Sequence, residues 1–351
     1  MILKLEPQTL ANEFSQLGIH PASEAIFLHK SEIVPLKILN IRTPAANIIK
    51  QEMLACGGDC AIPAGCVVCA EERVDVILLG TYKHYARLLE KLTQMPYFGM
   101  AEIKRELTAI LDAPIPQTIL ADGRTLNYDK MLVMGILNIT PDSFYAGSRV
   151  SQLEQVVERA GEMLRQGASV LDIGGESTRP GSDAVAAEEE QKRVVPVIKA
   201  LKERYPASVI SIDTYRASTA EAALAAGADI INDVTAMEGD AAMSDLVVDS
   251  KAPVILMHMR GTPKNMQQNC EYKNVVTEVA AYLMQRANVL EKRGVTKEKI
   301  IFDPGIGFAK NIEQNLQLIK GLKSLTGLDF PVHHALVPFA LLHKQPDNWQ
   351  R

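Results

Sequence analysis

Short apolar runs that read as strands alternate with amphipathic helical segments between residues 131 and 303 of this chain. Such alternation is typical of a parallel sheet whose strands are joined by crossover helices. Each run ends in polar side chains, and the runs cover residues 131–138, 169–174, 208–213, 229–233, 253–258 and 299–303. Polar residues at the end of every strand favour an α/β fold of the TIM (β/α)8 barrel type, which gathers them at one rim. A doubly wound open sheet is the alternative, although it concentrates such residues at one switch point.

The residues before this repeat indicate a separate unit. They contain strand candidates at 37–41 and 74–80 and helix candidates at 43–55, 83–94 and 98–112. A Pro-rich linker at 113–117 leads into a hairpin pattern around Asp122 and Gly123, which could close the bottom of the barrel. We therefore predict a small α/β domain of unknown role over 1–113, a barrel over 114–332 and an aberrant tail over 333–351.

Two helix starts in the repeat carry capping patterns. Ser151 is followed by Glu154 in the form of a capping box, and Asn311 precedes another amphipathic segment. We expect the helices to begin directly after Ser151 and Asn311.

Composition and charge exclude several classes of protein. The net charge is −5, from 42 acidic and 37 basic residues, whereas a protein that binds nucleic acid carries a basic surplus. No apolar run approaches the ~18 residues of a membrane span, and residues 1–14 lack the apolar stretch of a secretory leader. We expect a cytoplasmic protein that binds small molecules, with no nucleic-acid or membrane partner.

Four cysteines lie close together in the first unit, at Cys56, Cys60, Cys66 and Cys69. Four thiolates at this density could bind Zn²⁺ or an iron–sulfur cluster, but the spacing differs from the usual paired C-x₂-C knuckles. The pattern favours buried cysteines that pack as small apolar side chains, with a metal site as the open alternative.

Two motifs in the barrel region carry chemistry. MGILNITPDSF (134–144) puts an Asn amide at a strand end, where its oxygen suits a hard cation such as Mg²⁺. LDIGGESTRPGS (171–182) joins two glycines, which allow close backbone approach, to an Arg whose planar fork suits a diphosphate. Taken alone, either string is also compatible with turn chemistry or a solvated loop.

Together and in this order, the two strings closely resemble the first two signatures of the dihydropteroate synthase family. Members of that family are pterin-binding barrels of the folate pathway. Further strings resemble its later strand segments in the right order: ISIDTYR (210–216), INDV (231–234), VILMHMRGTPKNMQ (254–267) and FDPGIGFAK (302–310).

The resemblance implies a reaction and a set of site residues. The family condenses 6-hydroxymethyl-7,8-dihydropterin diphosphate with 4-aminobenzoate, giving 7,8-dihydropteroate and diphosphate, with Mg²⁺ as cofactor. A second copy of the chain, in a homodimer, is a possible partner. The implied catalytic residues are Asp142, which would organise the closed state, and Arg179, which would contact the diphosphate. The remaining implied roles are metal contact for Asn138, diphosphate contact for Thr178, pterin recognition for Asp213, Asn232 and Asp303, and substrate packing for Met257 and Phe308.

The resemblance ends near residue 332. The family continues with a seventh strand ending in a Ser-Arg-Lys-like stretch and an eighth ending in Arg-x-His, whereas this chain reads DFPVHHALVPFALLHKQPDNWQR over 329–351. We expect a barrel without its last two strands and with little synthase activity. Codons for HHALVPFAL, when read one base later, can encode Ile-Met-x-Ser-Ser-Arg-Ser-Arg-Phe, which resembles the end of the family's seventh strand. This suggests a frameshift in the gene after Val332.

Two rival functions follow from the same residues. One is a catalytically impaired barrel that still binds pterin phosphates. The other is a corrinoid-linked methyltetrahydrofolate methyltransferase, which shares the barrel but is disfavoured by the strings LNITPDSF and GGESTRPG.

Overall fold

The computed structural model describes residues 10–112, 115–139, 149–176, 185–261 and 270–333 of the chain. The chain divides into two compact units, Met1–Ala113 and Pro114–Arg351. Each unit has its own sheet and its own buried core. Within the described ranges, no helix is both long enough and apolar enough to cross a membrane.

The described residues of the first unit form a three-stranded antiparallel sheet in the order β1 (Val34–Arg42), β3 (Arg73–Gly80), β2 (Asp59–Ala61), with helices packed on one face. Alternate residues of the central strand, Val74, Val76 and Leu78, are buried and pack with helical residues such as Met53 and Leu88. The elements are α1 (Leu10–Gln16), α2 (Pro21–Ser31), β1 (Val34–Arg42), α3 (Thr43–Cys56), β2 (Asp59–Ala61), β3 (Arg73–Gly80), α4 (Tyr82–Leu92) and α5 (Met100–Leu111). The short strand β2 has no counterpart in the sequence prediction.

Three of the four clustered cysteines are buried in this unit. Cys56, Cys60 and Cys66 join the core, while Cys69 is exposed. Burial raises the pKa of the Cys60 thiol to about 11 and also raises the pKa of Cys66, so both stay protonated at neutral pH. In the part of the chain that the structure describes, no group of three Cys, His, Asp or Glu side chains could hold a metal ion. The metal alternative therefore finds no support among these residues.

The described residues of the second unit form a hairpin followed by six parallel strands, each paired with the next in chain order. The strands are β4 (Gln117–Ile119), β5 (Thr125–Asn127), β6 (Val133–Asn138), β7 (Ala168–Gly174), β8 (Val209–Asp213), β9 (Ile230–Asp233), β10 (Val254–Met257) and β11 (Ile300–Asp303). The helices are α6 (Arg149–Arg165), α7 (Ala187–Arg204), α8 (Ala217–Ala225), α9 (Met243–Ser250), α10 (Val275–Glu291), α11 (Ile312–Lys320) and α12 (Leu322–Thr326). The strand order has no reversal, which agrees with a barrel and excludes the doubly wound alternative.

The hairpin closes the amino-terminal end of the parallel strands, as the sequence predicts. Leu120, at the hairpin turn, is buried in a cluster with one residue from each of five strands: Val170, Val209, Ile230, Ile255 and Ile301. The neighbouring Arg124 pairs with Asp229 and donates to the carbonyl oxygen of Ala207 at 3.1 Å. Apolar contact and a charge pair together hold the hairpin against the strand ends.

The last described residues of the chain pair with β11 in the parallel direction, at the place where a further strand would lie. Val332 lies opposite Phe302 in a parallel bridge, and the His333 amide donates to the Phe302 carbonyl at 2.7 Å. Between this segment and β6 lies a cavity of about 620 Å³, lined by apolar residues that include Met134 and Ile136. Residues 334–351, the rest of the predicted aberrant tail, lie outside the described residues.

Shortening Leu120 tests the role of the hairpin. We expect Leu120→Ala to lower the free energy of unfolding by about 2–4 kcal/mol, because the change leaves a cavity in a buried cluster. Leu316→Ala, at a 39%-exposed position on α11, is the matched control and should cost well under half as much. Urea unfolding followed by circular dichroism measures both, and equal losses would contradict the closing role of Leu120.

Candidate active site

Polar side chains from successive strands meet at the carboxyl-terminal end of the parallel sheet. The pairing register aligns four residues side by side, in the order Asn138, Gly174, Asp213 and Asn232. A Cβ atom at Gly174 would lie 3.2 Å from Asn138 Oδ1 and 3.4 Å from Asp213 Oδ2. These two oxygens therefore lie next to the space that a side chain at Gly174 would fill. The missing side chain keeps the centre of this rim open.

A buried carboxylate that the sequence analysis did not select lies beside these residues. Asp172 is 5% exposed, and its Oδ2 accepts a hydrogen bond of 3.2 Å from the Asn232 amide. Its Oδ1, like Asp213 Oδ1, is buried and has no hydrogen-bond partner among the described residues. Buried polar atoms in native proteins are nearly always paired, so these two oxygens are able to accept hydrogen bonds from a ligand.

The electrostatics of the rim fit this interpretation. Burial raises the pKa of the Asp172 carboxyl. Burial raises the pKa of Asp213 well above its usual range, and the negative charges of Asp172 and Glu190 raise it further. Because carboxylates crowded in a dry site gain from any donor that enters, this rim favours a ligand edge rich in N–H groups.

The ends of β10 and β11 complete the described part of the rim. Asp303 is buried, and its Oδ1 accepts a hydrogen bond of 2.7 Å from the Gly305 amide. Met257 is 4% exposed, and Phe308 is half-buried in the turn that follows β11. The strand ends therefore carry five of the predicted site residues: Asn138, Asp213, Asn232, Met257 and Asp303.

Three predicted residues, Asp142, Thr178 and Arg179, lie outside the described residues. Glu176, the last residue of the second motif that the structure describes, belongs to a charged network. Glu176 pairs with Arg216 at 2.6 Å and accepts a hydrogen bond of 3.1 Å from the Val185 amide.

This arrangement can recognise a flat heterocycle. Two carboxylates with free acceptor oxygens, an Asn amide and apolar side chains suit a ring that has an amide-like edge and an apolar face. Asp172 lies in the predicted strand run 169–174, but the family resemblance, which selected Asp213, did not assign it to the site.

Removing the charge at Asp213 tests the electrostatics. A carboxyl whose pKa is raised by folding loses its stabilising contribution as pH rises from the unfolded pKa towards the folded one. We therefore expect Asp213→Asn to raise the free energy of unfolding at pH 7 by on the order of 1 kcal/mol, since one pKa unit corresponds to about 1.4 kcal/mol. The gain should shrink as pH falls towards 4.

Asp249→Asn is the control, because Asp249 is exposed near the end of α9. Urea titrations at pH 5 and pH 7 measure both variants. A destabilised Asp213→Asn, or one that matches the control at both pH values, would contradict the charged interpretation of the rim.

Similarity to known proteins extends over both units. The profile of the pterin binding enzyme family matches residues 134–337. A bifunctional folylpolyglutamate synthase/dihydropteroate synthase of Halobacterium salinarum is 37% identical over 88% of this chain, although the chain spans only 37% of that protein's length. A bifunctional dihydropteroate synthase/dihydropteroate reductase of Helicobacter pylori is 34% identical over 92% of this chain and 81% of that protein.

A solved structure agrees with these sequence matches. The dihydropteroate synthase of Xanthomonas albilineans with 4-aminobenzoic acid is 41% identical, with a TM-score of 0.57 over 64% of this chain and 78% of that protein. The matched residues include all six parallel strands and the rim that they carry. The chain therefore belongs to the pterin-binding enzyme family.

Proposed function

We propose that this chain serves the dihydropteroate synthase reaction. The amino nitrogen of 4-aminobenzoate bonds to the methylene carbon of 6-hydroxymethyl-7,8-dihydropterin diphosphate. The bond from that carbon to the diphosphate oxygen breaks, diphosphate leaves with the electron pair, and the new amine loses a proton. The observation that carries this proposal is the pair of buried acceptor oxygens on Asp172 and Asp213, beside the Asn232 amide.

The proposed pterin contacts follow from the donor pattern of the ring. The ring presents an N–H and an exocyclic amino group on one edge, and these would satisfy the free oxygens of Asp172 and Asp213. Asn232 and Asp303 would hold the adjacent atoms, while Met257 and Phe308 would pack against the ring. These contacts orient the reactive methylene and exclude water from it until the amine attacks.

The residues at the start of the site suit a magnesium ion. Asn138 is exposed at the end of β6, with its amide oxygen above the bare backbone of Gly174, and Mg²⁺ prefers oxygen ligands that it shares with phosphates. When bound, the ion would neutralise charge on the departing diphosphate. By the resemblance, Thr178 and Arg179 would contact the same diphosphate and Asp142 would order the closed site. A homodimer and a cytoplasmic location stay predictions.

A magnesium titration tests the reaction and the role of Asn138 together. We expect the chain to bind dihydropterin diphosphate in a Mg²⁺-dependent manner and to form dihydropteroate slowly on addition of 4-aminobenzoate. Asn138→Ala should bind the pterin but need several-fold more Mg²⁺, because an oxygen ligand is lost. Calorimetry and chromatography of the product provide the measurements.

Asn288→Ala, at an exposed position on α10, should behave as the parent chain. Binding without any product would favour the impaired pterin-phosphate-binding barrel. An absence of pterin binding would overturn both functions, and an unchanged Mg²⁺ requirement in Asn138→Ala would remove Asn138 from the metal site.

A second candidate function concerns the first unit, and we propose it on the extent of one similarity. The Helicobacter pylori relative is named a dihydropteroate synthase/dihydropteroate reductase, and its match covers 92% of this chain and therefore much of the first unit. A reductase would add a hydride and a proton across the 5,6 double bond of 7,8-dihydropteroate. The hydride would come from a reduced nicotinamide or flavin, which is oxidised.

The chain itself provides the test of this second function. We expect tetrahydropteroate to form when the chain is incubated with 7,8-dihydropteroate and NADPH or reduced flavin. Chromatography of the pterins measures the reduction, and the absorbance change of the donor, a loss for NADPH and a gain for reduced flavin, measures the oxidation, with a reaction lacking dihydropteroate as the control. Donor oxidation that does not depend on dihydropteroate would count against the reductase.

A further inference from the structure

Lys310, at the end of the turn after β11, has a buried side-chain amine. Its side chain belongs to a residue that is 1% exposed. Four acceptors surround Nζ: the Phe308 carbonyl at 2.8 Å, the Gly305 carbonyl at 3.0 Å, His258 Nδ1 at 3.0 Å and the His258 carbonyl at 3.2 Å. An ammonium has three N–H donors, so these acceptors use its full capacity.

The acceptors identify the state of the histidine. Burial, and then the charge of Lys310, lower the pKa of the His258 imidazole to about 3, so the ring is neutral. Burial also lowers the pKa of the Lys310 amine to about 7, and the protonated amine can only donate, so Nδ1 of His258 accepts from it in that state. The ring is fixed edge-to-face against Tyr282, at 5.0 Å between centroids.

These contacts join two separate segments of the rim. His258 directly follows β10, whereas Gly305 and Phe308 belong to the turn after β11. The two backbones are in close approach, since a Cβ atom at Gly305 would lie 2.1 Å from the His258 carbonyl oxygen. Three carbonyl oxygens converge at this point and would repel one another without a positive group between them.

We propose that Lys310 is a positioning residue for the pterin pocket, whose ammonium fixes the turn 305–308 against the end of β10 so that Phe308 and Asp303 face the ligand correctly. This inference rests on the proposed function of the same rim. Lys310 does not itself face the ligand, because all of its donors are engaged by the protein. It acts through the backbone that carries Phe308 and through the position of Met257, which directly precedes His258.

The nature of the side chain limits what could replace it. Methionine has a similar length but no donor, so it would take away the donor that Lys310 supplies to the buried carbonyl oxygens of His258 and Phe308, whereas the Gly305 oxygen would keep the Phe308 amide. Glutamine keeps an N–H₂ group and a buried position, but it carries no charge. The two substitutions therefore separate the hydrogen bonds from the charge.

The experiment compares Lys310→Met and Lys310→Gln with the parent chain and with Lys320→Met, a control at an exposed position on α11. The probe is 6-hydroxymethylpterin, titrated by calorimetry. We expect its Kd to rise about 10- to 100-fold in Lys310→Met, since small displacements of positioning groups have effects of this size, and less in Lys310→Gln. The control should keep the parent Kd.

Two readouts stay valid whether or not the pterin binds. Amide hydrogen exchange at Phe308, which donates to Gly305 in the turn, should speed up at least tenfold in Lys310→Met while exchange in α10 is unchanged. The His258 pKa, followed by NMR, should rise in the same variant. If the parent does not bind the pterin, the proposed function fails and these two readouts still decide whether Lys310 orders the turn.

The outcomes divide clearly. Weaker pterin binding with faster exchange confined to the turn supports the proposal. Unchanged Kd and unchanged exchange in a folded Lys310→Met would overturn it. Loss of folding in both Lys310 variants would assign the residue to overall stability and would also overturn it.

Discussion

The parallel register of the strands is the constraint on which the site depends. Asn138, Gly174, Asp213 and Asn232 are aligned because each strand pairs with the next at one fixed offset. Side chains alternate between the two faces of a strand, so a slip of one residue would turn any of them away from the rim. The apolar cluster around Leu120 lies on the same strands at their opposite ends. Packing at the bottom therefore sets the geometry of the polar groups at the top.

That geometry has an energetic cost within the fold. Asp172 and Asp213 each bury one carboxylate oxygen without a partner among the described residues, and burial together with neighbouring negative charges raises the pKa of Asp213. A protein selected for stability alone would fill this space with apolar side chains. The rim instead keeps carboxylates close together, and their mutual repulsion falls when a ligand donates hydrogen bonds to them. Sites that trade stability for binding typically show such an arrangement.

The sequence predicted the strand repeat, the hairpin and the cap at Asn311, because each depends on local periodicity or on contacts within a few residues. The predicted capping box at Ser151 was wrong, since α6 already begins at Arg149. Asp172 and Lys310 were missed as site residues for a different reason. Their environment is set by partners 60 and 52 residues away, Asn232 and His258, and no local pattern records such a contact. The motif resemblance identified the family but not these neighbours.

The docking of the hairpin also orders events during synthesis. Arg124 lies 105 residues before its partner Asp229, so this ion pair cannot form until the chain has been synthesised as far as the start of β9. At a translation rate of about 5–20 residues per second, Asp229 follows Arg124 after roughly 5–20 s, and Ile301, the last residue of the cluster that covers Leu120, follows Leu120 after roughly 9–36 s. During that interval the nascent chain carries an exposed apolar turn near its middle. The element that comes first in the second unit is thus among the last to reach its final place.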